Sequence, residues 1–123
     1  MEGIKDILKK AENDKDVLAV ALFGSSLKSK GRDIDICLFL NKKLPNLKMS
    51  KKRLEYLKSS RKNIDIQIFQ QLPIYVRVRI VKECKVLFCK NDDLIYDISL
   101  NTLKEFSSYE KLYKMYLSEM QNG

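Results

Sequence analysis

FGSSLKSKGRDIDICLFL, residues 23 to 40, is the stretch around which the rest of this 123-residue sequence is arranged. It opens with Gly24-Ser25 at the end of an apolar run, continues through a short basic linker, and reaches Asp33 and Asp35 at the head of a second apolar run. Residues two apart on a strand project to one face, about 6–7 Å apart. Two carboxylates so placed converge on a hard divalent cation, and Mg²⁺ is the usual guest because it takes oxygen ligands and is shared with substrate phosphates. Asp is depleted in strands, and two on one face repel unless a cation joins them. A Gly-Ser turn offers close backbone approach and free N–H groups, from which phosphate sites are built.

Outward from this stretch, the first strand is Val17 to Phe23, a continuous apolar run that suits burial on both faces. Too few residues separate it from the second, about residues 33–40, for a parallel crossover, so the two run antiparallel. Residues 3–12 form an amphipathic helix through Ile4, Ile7, Leu8 and Ala11. After Pro45 a helix is expected from about Asn46 to Ser60, with Leu47, Leu54 and Leu57 as its buried stripe. That crossover is long enough to return the chain, so a third strand, about residues 63–70, runs parallel to the second. In it, Ile64, Ile66 and Ile68 alternate with Asp65, Gln67 and Phe69. Asp65 then lies at the same end of the sheet as Asp33, Asp35 and the Gly-Ser.

Residues 73–83 fit two patterns. Ile74, Val76, Val78 and Ile80 alternate as on a strand, whereas Pro73 as a first helical residue and the Ile74/Val78/Val81 spacing favour a helix. Residues 86–90 read as a short fourth strand, and a helical pattern capped at Asn91 or Asp92 continues to about Met120, either unbroken or interrupted near Ser107-Ser108. Phe106 is assigned to the core. Tyr109, Tyr113 and Tyr116, on one stripe beside Leu112 and Leu117, fit either core or a partner surface.

Composition narrows the chemistry. The chain contains no histidine, which removes Ser-His-Asp and Cys-His catalysis, H-E-x-x-H zinc sites and any His general base. The G-x-x-x-x-G-K-[ST] phosphate loop is also absent. Carboxylates, lysines, arginines and metal must therefore carry any reaction. A formal charge of +8 fits nucleotide phosphates, nucleic acid or an acidic protein surface, and also a plain lysine-rich exterior. Cys37, Cys84 and Cys89 form no C-x-x-C pair and are expected to be free thiols, with Cys37 packed in its strand. No apolar run has the length of a membrane span, and the start lacks a signal-peptide pattern. The expectation is a cytoplasmic, single-domain protein spanning residues 1–123, with a core of its own.

Gly-Ser, then Asp-x-Asp, then a lone Asp on a later strand resembles the nucleotidyltransferase superfamily of DNA polymerase β. At this length the sequence looks most like its minimal nucleotidyltransferases, the antitoxin partners of HEPN-domain proteins. The resemblance covers roughly residues 15–90 in motif order. It implies an α/β (α+β) fold, a small mixed sheet flanked by helices, and a helix over 73–83. It further implies transfer of AMP, or another NMP, from an NTP such as ATP to an acceptor hydroxyl, with two Mg²⁺ ions. In the family the acceptor is a tyrosine of a HEPN toxin. On this resemblance Asp33, Asp35 and Asp65 are metal ligands and catalytic groups, while Gly24, Ser25, Ser26, Lys28, Lys30 and Arg32 meet the nucleotide phosphates. Two departures stand out: only seven residues, Ser26 to Arg32, separate Gly-Ser from Asp33, fewer than is usual in the family, and Arg32 stands where a serine is common. Two other classes remain open, a non-catalytic nucleotide-binding or toxin-masking module and a basic nucleic-acid-binding protein, although no nucleic-acid-binding motif is present and the family chemistry does not require nucleic acid.

Overall fold

A computed structural model describes residues 2–24 and 33–122. In chain order the elements are α1 (Glu2–Glu12), β1 (Val17–Phe23), β2 (Ile34–Leu40), α2 (Asn46–Lys58), β3 (Ile64–Ile68), a 3₁₀ turn (Phe69–Gln71), α3 (Ile74–Glu83), β4 (Lys85–Cys89) and α4 (Asp92–Asn122). The four strands form one mixed sheet in the order β3-β2-β1-β4. β1 runs antiparallel to both β2 and β4, while β2 and β3 run parallel. Both strand senses expected around residues 23–40 are therefore present.

The sheet is buried on both faces. Alternation along β2 sends Ile36, Leu38 and Leu40 to one side, where they meet Ile4, Ile7 and Ala11 of α1 and Met49 and Tyr56 of α2. Cys37 and Phe39 point the other way, against Phe69, Ile80 of α3, and Leu94, Ile95 and Ile98 of α4. The Phe39 and Phe69 rings stack with centroids 4.4 Å apart. All three cysteines are free thiols, and burial pushes that of Cys37 well above its ordinary value, which suits packing rather than reactivity.

Several local expectations are corrected. On α2 the buried residues are Met49 and Tyr56, whereas Leu47 and Leu54 are 68% and 54% exposed; of the expected stripe only Leu57 packs against the core. Met49 and Tyr56 stand two positions after the two exposed leucines, about 200° further round the helix. The helix is turned this way because its inner side also carries polar partners. The buried Tyr56 hydroxyl donates to Asp14 Oδ2 at 2.9 Å, and Lys52 Nζ lies 2.8 Å from the same oxygen and 3.3 Å from Asp16 Oδ2. Ile74–Glu83 form a helix, as the resemblance implied, but Pro73 stands in extended conformation at its cap rather than inside the first turn. α4 is continuous through Ser107-Ser108, which holds neither Pro nor Gly to break it, and Asn91 caps it by accepting the Leu94 N–H at 3.1 Å. Phe106 is half-buried, and Tyr109, Tyr113 and Tyr116 are exposed, so the distal half of α4 adds nothing to the core. Among the described residues no helix is long and apolar enough to cross a membrane.

The Asp14 cluster gives a stability prediction. Burial works to raise the Asp14 carboxyl, but hydrogen bonds from Lys52, the Asp16 N–H and Tyr56 outweigh it and hold the carboxyl below its ordinary value. A depressed folded-state pKa contributes stability above the unfolded-state value and loses it as pH falls through the folded one. Tyr56→Phe keeps the ring and removes one hydrogen bond to a charged group, a loss of about 1.5–3 kcal/mol. Urea unfolding at neutral pH should show that deficit, and the gap to wild type should close as acid protonates Asp14.

Candidate active site

The short connection between β1 and β2 dictates where the site forms. Antiparallel pairing places Phe23 opposite Asp35, so Gly24 leaves the sheet beside that carboxylate. Gly24 has φ 64°, in the left-handed region that favours glycine. A Cβ built on it would lie 2.9 Å from Asp35 Oδ2, so the carboxylate would have to shift for any side chain there. The backbone at the end of β1 and a carboxylate of β2 thus face each other directly, with a glycine at the point of approach.

Parallel pairing adds the third carboxylate. In the β2–β3 register Asp35 pairs with Asp65, and Ile34 with Ile64. Neighbouring strands lie about 4.8 Å apart, so the two carboxylates start from adjacent backbone positions and project to the same face. Asp33 stands immediately before β2 and is exposed. Ser25, Ser26, Lys28, Lys30 and Arg32 lie outside the described residues.

Asp65 is held on both oxygens. Gln67 Nε2 donates to Oδ2 at 3.0 Å, and the Arg53 guanidinium reaches Oδ1 at 3.4 Å. Gln67 was legible in the sequence as the next residue on the same face of β3. Arg53 was not, because nothing in a polar helical stretch says which basic side chain turns back over the sheet. A cleft of about 140 Å³ opens next to Gly24, between the end of β1 and α3, lined by Phe23, Val76, Arg79, Ile80 and Glu83. Small-molecule sites usually occupy about 300–1,000 Å³, so this cleft is smaller than a typical ligand site.

Among the described residues no three acidic or thiol side chains stand close enough together to hold a metal ion as they are. The donor chemistry nonetheless fits a hard cation. Asp33 and Asp35 supply only oxygen donors, the kind such an ion takes.

The sequence profile of a family described as polymerase beta, nucleotidyltransferase matches residues 2–93. A Methanocaldococcus jannaschii protein whose name proposes protein adenylyltransferase activity is 36% identical over 75 residues, covering 58% of this chain and 56% of that one. This chain therefore matches little more than half the length of that relative. Among solved structures, a chain of a toxin–antitoxin complex with AMP-PNP matches with a TM-score of 0.67 and 18% identity, covering 98% of this chain and 99% of that one. A chain from the tri-AMPylated Shewanella oneidensis HEPN toxin in complex with MNT antitoxin matches at 0.66 and 14%, with the same coverage. At these identities the likeness establishes the fold.

Gly24→Ala tests the cradle. Left-handed backbone costs a non-glycine residue about 1–2 kcal/mol, and the new methyl must also displace the Asp35 carboxylate. The variant should remain folded by circular dichroism, melt earlier than wild type, and bind MgATP more weakly by calorimetry. Unchanged affinity would place the nucleotide elsewhere.

Proposed function

Because this chain belongs to the polymerase beta nucleotidyltransferase family, we propose that it transfers AMP from ATP to a hydroxyl of a partner protein and so acts as an antitoxin. The partner would be a HEPN-domain toxin and the acceptor one of its tyrosines. The observation that carries this reading is the placement of Gly24 against Asp35, with Asp65 as the neighbour of Asp35 across the parallel pair. The name of the M. jannaschii relative and the AMPylated HEPN toxin in one of the matching complexes support the choice of reaction and partner.

In this reading Asp33, Asp35 and Asp65 would hold Mg²⁺, with two ions as the expected complement. Bound there, the ions neutralise the triphosphate and stabilise charge on the attacking and leaving oxygens. Gly24 offers its backbone to the phosphates, and Ser25, Ser26, Lys28, Lys30 and Arg32 follow it in the connection to β2. Asp65 accepts the proton of the acceptor hydroxyl. The hydroxyl oxygen bonds to the α-phosphorus, the bond from that phosphorus to the bridging oxygen breaks, and pyrophosphate leaves. A domain of this size, residues 1–123, leaves little surface for an acceptor site, so the partner completes it. The free thiols suit a reducing compartment, and we place the protein in the cytoplasm.

One observation favours a second reading, masking by contact alone. The distal half of α4 exposes Leu112, Tyr113, Met115 and Tyr116, a surface able to cover a partner without chemistry. Incubating the co-purified complex with Mg²⁺ and ATP labelled at the α- or γ-phosphate separates the two. Nucleotidyl transfer moves only the α label; a kinase moves only the γ label; no label on the partner leaves masking. In Asp33→Asn/Asp35→Asn the metal-dependent part of ATP affinity should disappear.

Asp65→Asn should behave differently. Its charge matters when the hydroxyl loses its proton, and a positioned general base contributes about 10²–10⁴-fold in rate. MgATP affinity should stay near normal while single-turnover transfer falls by about two decades or more. Undiminished transfer would make Asp65 structural, and lost affinity would make it chiefly a ligand of the nucleotide-bound metal.

A further inference from the structure

Asp65 stands on β3, the edge of the sheet, with its side chain 47% exposed. An exposed carboxylate has several rotamers open to it, and a general base must hold the one that faces its proton donor. We propose that Arg53 is the positioning residue that selects that rotamer; this rests on the nucleotidyl-transfer reading of the site.

The geometry gives Arg53 a fixed base from which to act. Its Nε donates to the backbone carbonyl of Ile66 at 2.6 Å, satisfying an acceptor on the edge strand and pinning the plane of the guanidinium. Its other end then reaches Asp65 Oδ1 at 3.4 Å. Gln67 Nε2 takes Oδ2 at 3.0 Å, so each oxygen of the carboxylate has one neutral or charged donor. An ionised carboxylate has roughly four acceptor positions, so both oxygens keep lone pairs for an incoming proton. Arg53 cannot compete for that proton as a base, since a guanidinium stays protonated in proteins. It fixes and polarises Asp65 while leaving it able to react.

α2 thereby acquires a second task. The helical turn that buries Tyr56 also brings Arg53, one turn earlier, back over β3. Lysine in its place would keep the charge and lose the planar fork, so it could not bond Ile66 and reach Asp65 in one fixed plane.

The test is a double-mutant cycle on the full chain with its co-purified partner, made from Arg53→Gln, Asp65→Asn and the double variant, with Arg53→Lys as a conservative control. Residues acting through one another couple energetically, so Arg53→Gln should slow single-turnover transfer by about tenfold. MgATP affinity should hold within about twofold, the ordinary scatter of independent sites. Arg53→Lys should recover part of the rate, and Arg53→Gln should slow Asp65→Asn no further. Equal slowing in both backgrounds, or a loss that appears wholly as MgATP affinity, would overturn the assignment. Urea unfolding of the same proteins reads the Arg53–Asp65 coupling without any transfer. Coupling there, in a wild type that moves no α label, would make the pair structural and overturn the proposal. Absence of the α label in wild type by itself marks failure of the transfer reading, so the two failures are distinguishable.

Discussion

Strand β2 is held by neighbours of opposite sense, antiparallel β1 on one side and parallel β3 on the other, and the site follows from that one constraint. Ten residues, Gly24 to Asp33, join β1 to β2, fewer than the dozen or so a parallel crossover needs. The chain must therefore turn straight back, and the end of β1 falls beside the start of β2. α2 then supplies a true crossover, which brings the start of β3 to the same edge of the sheet. Connection lengths thus bring Gly24 beside Asp35 and put Asp65 next to Asp35 across the parallel pair.

The two faces of the sheet divide the labour. One is closed by α1 and α2 over an aliphatic core, and its charged cluster of Asp14, Asp16, Lys52 and Tyr56 ties α2 to the turn before β1. The same helix sends Arg53 over β3 to the carboxylate of the other face. Rotation of α2 about its own axis is therefore felt in the core and at Asp65 together. The second face carries the carboxylates at one end and is packed by α3 and α4 elsewhere.

α4 shows how far packing extends. Leu94, Ile95 and Ile98 meet the sheet, and the buried Thr102 returns its hydroxyl to the Ile98 carbonyl at 2.8 Å. Beyond Phe106 every described side chain is exposed, with Tyr109 held to Tyr75 by a 2.8 Å hydroxyl contact and stacked on Tyr113. That half of the helix keeps its shape through its backbone and offers an aromatic surface, which explains why hydrophobic spacing alone could not separate core from interface there.

The senses of β1, β2 and β3, and with them the placement of Asp65 beside Asp35, were legible because they follow from run lengths, the period of two, and the number of residues between runs. The Gly24–Asp35 approach was legible in outline, since a Gly at the end of one strand must meet the start of its antiparallel partner. The rotation of α2 was not. Leu47 and Leu54 make as good an apolar stripe as Met49 and Tyr56, and only the reach of Tyr56 to Asp14 and of Arg53 to Ile66 decides between them. The helix over 73–83 was equally hidden from its own alternating pattern, because Ile74, Val76, Val78 and Ile80 alternate as on a strand while Ile74, Val78 and Val81 keep helical spacing. Sequence by itself determined which residues lie on each strand and how the strands must connect, since those are properties of the chain's covalent length and local period. Tertiary structure alone decided which side of each helix is inner and which basic residue attends Asp65, because those depend on partners far away in sequence.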